Sequence, residues 1–114
     1  MARDNPRQIA VAERFIEKGV WISLLALAEA IWVLASNYGS SPKDQADAIE
    51  MLLANNRVVV QDSEVVAAAV RLFRARPVLG FSDCLMLEMA RKAGHLPLGT
   101  FDRRLAKVEG THLL

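Results

Sequence analysis

Three carboxylates occupy positions at which they could do chemistry. Glu29 lies within the most apolar stretch of the chain, Asp83 follows Gly-Phe-Ser at 80–82, and Asp102 follows Gly-Thr-Phe at 99–101. A carboxylate among apolar side chains is costly to bury unless it is paired, and a bound cation is one partner that offsets the cost. Oxygen ligands without His or Cys favour a hard ion such as Mg²⁺ or Mn²⁺.

Each acid also has a purely structural interpretation. Glu29 could lie at a helix edge that reaches water, or form a salt bridge with an arginine. Asp83 could serve the first turn of a helix, where exposed N–H groups and the helix dipole favour a negative charge. Asp102 stands where a strand gives way to a helix, which is an ordinary N-cap position. None of the three acids is specific by itself.

The elements that must position these acids follow from apolar spacing and from helix start and stop signals. Helices are predicted from Asn5-Pro6 to Gly19, from Ser23 to Gly39, from Ser41 to Asn55, from Asp62 or Ser63 to Arg74, from Ser82 to Ala93, and, as a short one, from Arg103 to Val108. Strands are predicted at 20–22, 58–60, 98–101 and 112–114.

Short apolar strands that alternate with helices predict an α/β domain with a mainly parallel sheet covered on both faces. Ligands of such sheets bind beyond the carboxyl ends of the strands. Glu29, Asp83 and Asp102 all map to that edge, just past a strand or within two turns of the helix that follows. The sequence therefore predicts that the three acids converge.

The bulk composition bounds the alternatives. The chain has 114 residues, of which 53% are hydrophobic and 24% charged, so we expect a single folded domain, 1–114. A net charge of +1 gives no global attraction for nucleic acid, so any RNA binding must come from local patches. Cys84 is the single cysteine, which excludes an internal disulfide and favours the cytoplasm. The apolar stretch at 20–35 is too short to span a membrane.

The other reactive or aromatic side chains are interpreted as structural. Cys84 is expected to be a small buried hydrophobe, and His95 and His112 to be surface residues without a metal role. Ser23 precedes a helix without a nucleophile-elbow pattern, which argues against a serine hydrolase. The sequence does not indicate an aromatic platform on which bases could stack. Three aromatic residues and three apolar residues of the fifth predicted helix are expected in the core instead: Phe15, Trp21, Trp32, Leu85, Met86 and Met89.

Three segments resemble the motifs of PIN-domain toxins of the VapC class. They are Ser-Leu-Leu-Ala-Leu-Ala-Glu-Ala-Ile-Trp-Val-Leu at 23–34, Gly-Phe-Ser-Asp-Cys-Leu at 80–85 and Thr-Phe-Asp-Arg-Arg-Leu at 100–105. Their order and spacing match, and the resemblance extends over essentially the whole chain. It implies a PIN-like three-layer α/β/α sandwich in which Glu29, Asp83 and Asp102 are the metal-site acids and Thr100 is a supporting hydroxyl.

The same resemblance implies a function and partners. The expected protein is a Mg²⁺- or Mn²⁺-dependent endoribonuclease, the toxin of a toxin–antitoxin pair, which cleaves RNA, forms a homodimer and is neutralised by an antitoxin whose tail covers the acidic site. Arg103 and Arg104 would either approach the RNA backbone or form a solvated helix end.

The chain departs from the family pattern at its start. Family members begin with a central strand that ends in a catalytic Asp, and no such segment precedes Asn5-Pro6. Asp4 is interpreted as a cap or loop residue rather than as a metal ligand. A late start codon, a fragment that borrows a strand from a neighbour and a degenerate protein remain open. One rival function is therefore a binding or self-associating protein without catalysis. A phosphatase or signalling receiver with an acidic pocket is disfavoured, because the paired acids after the first strand and the lysine near the end of the last strand that a receiver needs are missing.

Overall fold

The structure is a computed structural model that describes residue 14 and residues 17–114. Most of the helix predicted between Asn5 and Gly19 lies outside these residues, although Arg14 and Glu17 are helical. The other elements, in chain order, are β1 (Val20–Ile22), α1 (Leu24–Asn37), α2 (Pro42–Ala54), β2 (Val58–Val60), α3 (Ser63–Ala75), α4 (Phe81–Ala93), β3 (Leu98–Thr100) and β4 (Thr111–Leu113), with 3₁₀ turns at Pro77–Leu79 and Leu105–Lys107.

The chain divides into two compact units, Met1–Ser63 and Glu64–Leu114. Among the residues that the structure describes, each unit contains one two-stranded parallel sheet: β1 pairs with β2, and β3 pairs with β4. The predicted α/β class and the predicted parallel pairing are therefore confirmed. In the described ranges, no helix is long and apolar enough to cross a membrane.

In the first unit, local capping signals set where the helices begin. The Ser23 side-chain oxygen accepts a hydrogen bond from the Ala26 N–H at 3.0 Å, and the Ser41 oxygen accepts one from the Asp44 N–H at 3.1 Å. Both predicted N-caps are thus confirmed, as serine caps satisfy N–H groups that have no partner within the helix. The buried side chains of the two helices form the apolar core of this unit: Leu24, Leu27, Ile31, Ala46 and Ile49.

The two tryptophans of the first unit are exposed, and their predicted core positions are wrong. The Trp21 side chain is 62% exposed, and Val59, its partner on the neighbouring strand, is 60% exposed. Since strand side chains alternate between faces, burying Val58 and Val60 turns Trp21 and Val59 to the opposite face. Trp32 is 65% exposed because the buried stripe of α1 runs through Leu24, Leu27 and Ile31.

In the second unit, α3 and α4 each bury an apolar stripe. The Phe73 and Phe81 rings pack with their centroids 6.1 Å apart and their planes tilted by 60°. Leu85 is buried as predicted, but Met86 and Met89 are exposed, so their predicted core positions are wrong. The helix begins at Phe81 rather than Ser82, and its buried arc contains Phe81, Cys84, Leu85 and Leu87, which leaves both methionines outside.

The end of the chain forms a shorter helix than predicted. The 3₁₀ turn Leu105–Lys107 replaces a helix from Arg103 to Val108, and β3 ends at Thr100 rather than Phe101. The Thr111 hydroxyl lies 2.8 Å from the Leu105 carbonyl oxygen and 2.6 Å from that of Val108, and donates to this turn. This side-chain bond ties the turn to β4.

Candidate active site

Asp83 lies in the first turn of α4, as predicted. The chain reaches this helix through Gly80, whose φ of 81° and ψ of 148° suit glycine far better than a residue with a Cβ. The Asp83 side chain is half-buried. Among the described residues, no hydrogen bond or ion pair engages its carboxylate. Asp83 therefore presents an acid that is partly removed from water and lacks a described partner.

Asp102 is exposed and is held in a hydrogen-bonded turn directly after β3. Its backbone N–H donates to the Thr100 side-chain oxygen at 3.0 Å. Its own Oδ1 accepts from the N–H groups of Arg104, at 2.8 Å, and Leu105, at 3.3 Å. Asp102 thus bonds to the N–H groups that follow it, as a capping residue does, although the 3₁₀ turn after it has Arg104 as its N-cap, and these bonds use Oδ1 only. Within the described part of the chain, Oδ2 takes no hydrogen bond.

The two acids of the second unit interact electrostatically. Burial raises the pKa of the Asp83 carboxyl above its ordinary value of 3.8, and the negative charge of Asp102 raises it further. Burial, with smaller effects from the Asp83 and Glu88 charges, also raises the pKa of the neighbouring Cys84 thiol to about 12. Two carboxylates that repel each other favour a cation between them.

Glu29 lies in the second turn of α1, in the first unit, and its side chain is exposed. Of the alternatives that the sequence leaves open for this carboxylate, burial among apolar neighbours is wrong, because the buried stripe of α1 passes through Leu27 and Ile31 instead. Glu29 instead lies at a helix edge that reaches water. No three His, Cys, Asp or Glu side chains within the described ranges form a group that could hold a metal. Asp83 and Asp102 both lie in the second unit, where the charge of Asp102 acts on the Asp83 carboxyl.

A comparison with protein-family models decides the family. The PIN domain model matches residues 1–111. The chain belongs to the PIN domain family. PIN domains are generally metal-dependent nucleases and typically use divalent ions. No curated protein and no solved structure is significantly similar to the chain.

The remaining candidate residues of this PIN domain have simple surroundings. Cys84 is fully buried, as expected of a small apolar side chain, and His95 and His112 are exposed, as expected of surface residues. Arg103 and Arg104 are exposed beside Asp102, and no ion pair engages either guanidinium within the described residues. Both cations therefore remain accessible to a ligand.

One feature of this PIN domain was missed by the sequence-based interpretation. Phe101 was assigned to the end of a strand, whereas it lies just beyond β3 with 82% of its side chain exposed. The described residues include no large apolar side chain that is more exposed. A sequence signal was present, since Phe101 stands between Thr100 and Asp102 and just before two arginines. An aromatic side chain thus stands directly beside a candidate acid.

Proposed function

We propose that this PIN domain is a Mg²⁺- or Mn²⁺-dependent endoribonuclease of the VapC toxin type. The observation that carries the proposal is the half-buried Asp83 carboxylate, which has no partner among the described residues and is repelled by the charge of Asp102. An acid in that position is stabilised by a divalent cation. Because the chain belongs to a family of metal-dependent nucleases, a catalytic ion is the simplest such cation.

The donor set of the proposed site fits a hard ion. Asp83 and Asp102 supply carboxylate oxygens, and Glu29 is the third proposed acid, as the sequence resemblance implies. None of the three is a sulfur or imidazole ligand, which favours Mg²⁺ or Mn²⁺ over zinc. A bound ion of this kind lowers the pKa of a water and neutralises charge that develops on the scissile phosphate.

Thr100 has a positioning role in the proposal. Its side-chain oxygen holds the Asp102 N–H, while Asp102 Oδ1 holds the N–H groups of Arg104 and Leu105. These bonds fix the Asp102 carboxylate, so that Oδ2 is free to bind an ion without a further rearrangement of the turn. Arg103 and Arg104 then neutralise phosphates on either side of the cleaved bond.

The toxin role adds protein partners in the cytoplasm: a cognate antitoxin and a second copy of the chain as a homodimer. Support comes from the exposed apolar side chains of α1 and β1, notably Leu25, Trp32 and Trp21. Such side chains are typical of surfaces that proteins bury on association. Sedimentation velocity over a range of concentrations tests the homodimer, and copurification of the coexpressed neighbouring gene product tests the antitoxin.

The decisive experiment is divalent-ion-dependent cleavage of a mixed RNA pool. Wild type should cleave with Mg²⁺ or Mn²⁺ and stop when EDTA is added. The Asp83→Asn, Asp102→Asn double variant should lose cleavage by at least about a hundredfold, since both proposed ion ligands are removed. Glu109→Gln is the matched control, because it neutralises an exposed acid of the same unit and should keep full activity.

Glu29→Gln tests the third acid separately, because this residue lies in the first unit. Cleavage that survives Glu29→Gln but not the double variant would limit the metal site to Asp83 and Asp102. An absence of cleavage by wild type with either ion would contradict the nuclease proposal. The chain would then be a non-catalytic PIN domain whose function is binding.

A further inference from the structure

The exposure of Phe101 is not explained by folding. A phenyl ring that is 82% exposed contributes little hydrophobic stabilisation to the protein. It is also not a mobile appendage, because hydrogen bonds hold the residues on both sides. The Asp102 N–H donates to Thr100, and the Leu114 N–H donates to the Thr100 carbonyl oxygen at 2.8 Å. The turn thus presents an aromatic face to the solvent.

The residues that follow Phe101 carry positive charge. Arg103, Arg104 and Lys107 are all exposed, and the described residues provide no ion-pair partner for any of them. The net charge of the whole protein is only +1, so this short cationic run is a local feature. An aromatic ring next to cations is the combination that binds single-stranded nucleic acid, with bases stacked on the ring and phosphates paired with the cations.

We propose that Phe101 stacks on a nucleobase next to the scissile phosphate and thereby selects single-stranded RNA, with Arg103, Arg104 and Lys107 contacting the flanking phosphates. The inference deepens the proposed nuclease function and rests on it for the position of the scissile bond. The base must be unpaired, because a base inside an A-form helix has its faces covered by neighbouring bases. Phe101 therefore determines substrate class without taking part in bond cleavage.

The test measures binding rather than cleavage, so that it remains informative if the chain is not a nuclease. A labelled single-stranded RNA of mixed sequence and the same RNA paired with its complement are titrated with protein in EDTA, and fluorescence anisotropy is recorded. Wild type should bind the single strand more tightly than the duplex. Phe101→Ala should weaken single-strand binding about tenfold, the expected loss of one stacked base, and change duplex binding by less than about twofold.

Three further variants separate stacking from other effects. Phe101→Tyr keeps an aromatic face and should bind within about twofold of wild type. Phe101→Leu keeps apolar volume without the aromatic face and should lose most of what Phe101→Ala loses. Met89→Ala removes another exposed apolar side chain of the same unit and should bind like wild type. Far-ultraviolet circular dichroism checks that each variant is folded.

The cations are tested by their salt dependence. An Arg103→Gln, Arg104→Gln double variant should weaken single-strand and duplex binding alike and make the dependence of binding on salt concentration shallower, because phosphate contacts release counterions. Wild-type-like single-strand binding by Phe101→Ala would overturn the proposal. Equal losses of affinity for single strand and duplex, or full binding by Phe101→Leu, would also overturn it. A change in oligomeric state with unchanged RNA affinity would overturn it too and would make Phe101 part of a protein interface.

Discussion

The Thr100 side-chain oxygen lies 3.0 Å from the Asp102 backbone nitrogen and accepts its N–H. This bond links the last residue of β3 to the acid that begins the next turn. The backbone segment that ends the strand therefore also orients the Asp102 carboxylate. Asp102 Oδ1 completes the turn by accepting from Arg104 and Leu105.

Replacing Thr100 by Val removes this acceptor and keeps the side-chain shape. We expect the free energy of unfolding to fall by about 1 kcal/mol, the typical net value of one hydrogen bond. The affinity for Mn²⁺ should fall as well, because Asp102 loses one of the bonds that orient it. Urea unfolding and a thermal-shift titration with Mn²⁺ measure the two effects. Thr100→Ser keeps the oxygen and should resemble wild type; equal behaviour of the two variants would contradict the positioning role.

Replacing Asp83 by Asn should stabilise the protein in the absence of divalent ions. The charged carboxylate is partly buried and lies near the negative charge of Asp102, which is why its pKa is raised above 3.8. A folded-state pKa above the unfolded one means that stability falls as pH rises through this range. In EDTA, Asp83→Asn should therefore have a higher midpoint of thermal unfolding than wild type near neutral pH, and the advantage should shrink as pH approaches 3.8.

Added ion should reverse that order. Mn²⁺ should raise the thermal midpoint of wild type and leave that of Asp83→Asn nearly unchanged, because an ion that binds only the folded state stabilises it. Asp47→Asn is the control: Asp47 pairs with Lys43 at 2.9 Å on the surface, so its loss should lower stability slightly. A lower midpoint for Asp83→Asn in EDTA would indicate that the carboxylate already has a stabilising partner.

The starts of helices were the part of the fold most accessible from sequence. Ser23 and Ser41 signal N-caps through interactions with residues three positions ahead, so local sequence contains all the necessary information. The same holds for Gly94, which ends α4 in the left-handed conformation. The sequence places Asp83 and Asp102 together on the ground that the ends of parallel strands share one edge, but in the structure Asp83 follows the 3₁₀ turn Pro77–Leu79 rather than a strand.

Which side chains are exposed to solvent was harder to predict from the sequence. Trp21 and Met86 are apolar, and sequence records that property but not how many elements cover a given face. For Glu29, whose helix is apolar on almost every side, the sequence leaves burial and a helix edge that reaches water both open, and the structure has the exposed position. Phe101 was missed because strand periodicity places an aromatic residue in a strand unless the turn that ends the strand is known. Tertiary arrangement decides these cases.

Gly80→Ala should be costly and should disturb the site. A φ of 81° with a ψ of 148° lies in a region that is nearly restricted to glycine, so we expect a loss of about 1–3 kcal/mol of unfolding free energy. The Cβ itself has room, as its nearest neighbour, Asp83 Oδ2, would lie 3.9 Å away. Relief of the backbone strain must move the start of α4, and with it Asp83, so stabilisation by Mn²⁺ should also decline.

Gly94→Ala is the matched control for Gly80, because it changes the other end of the same helix. Gly94 has φ 77° and ψ 23°, a left-handed conformation that costs a residue with a Cβ about 1 kcal/mol. The variant should lose stability while its response to Mn²⁺ remains that of wild type. If both variants lose the Mn²⁺ response equally, then the effect of Gly80→Ala is a general loss of stability rather than a movement of Asp83.

Trp21→Ala and Ile49→Ala distinguish exposed from buried apolar residues in the first unit. Ile49 is fully buried, so its truncation should lower the free energy of unfolding by about 2–5 kcal/mol. Trp21 is 62% exposed, and its truncation should cost less than about 1 kcal/mol despite the larger side chain. Urea unfolding at low protein concentration measures both. A loss above about 2 kcal/mol for Trp21→Ala would mean that the ring is buried in solution, and a loss that grows with protein concentration would assign that burial to a second copy of the chain.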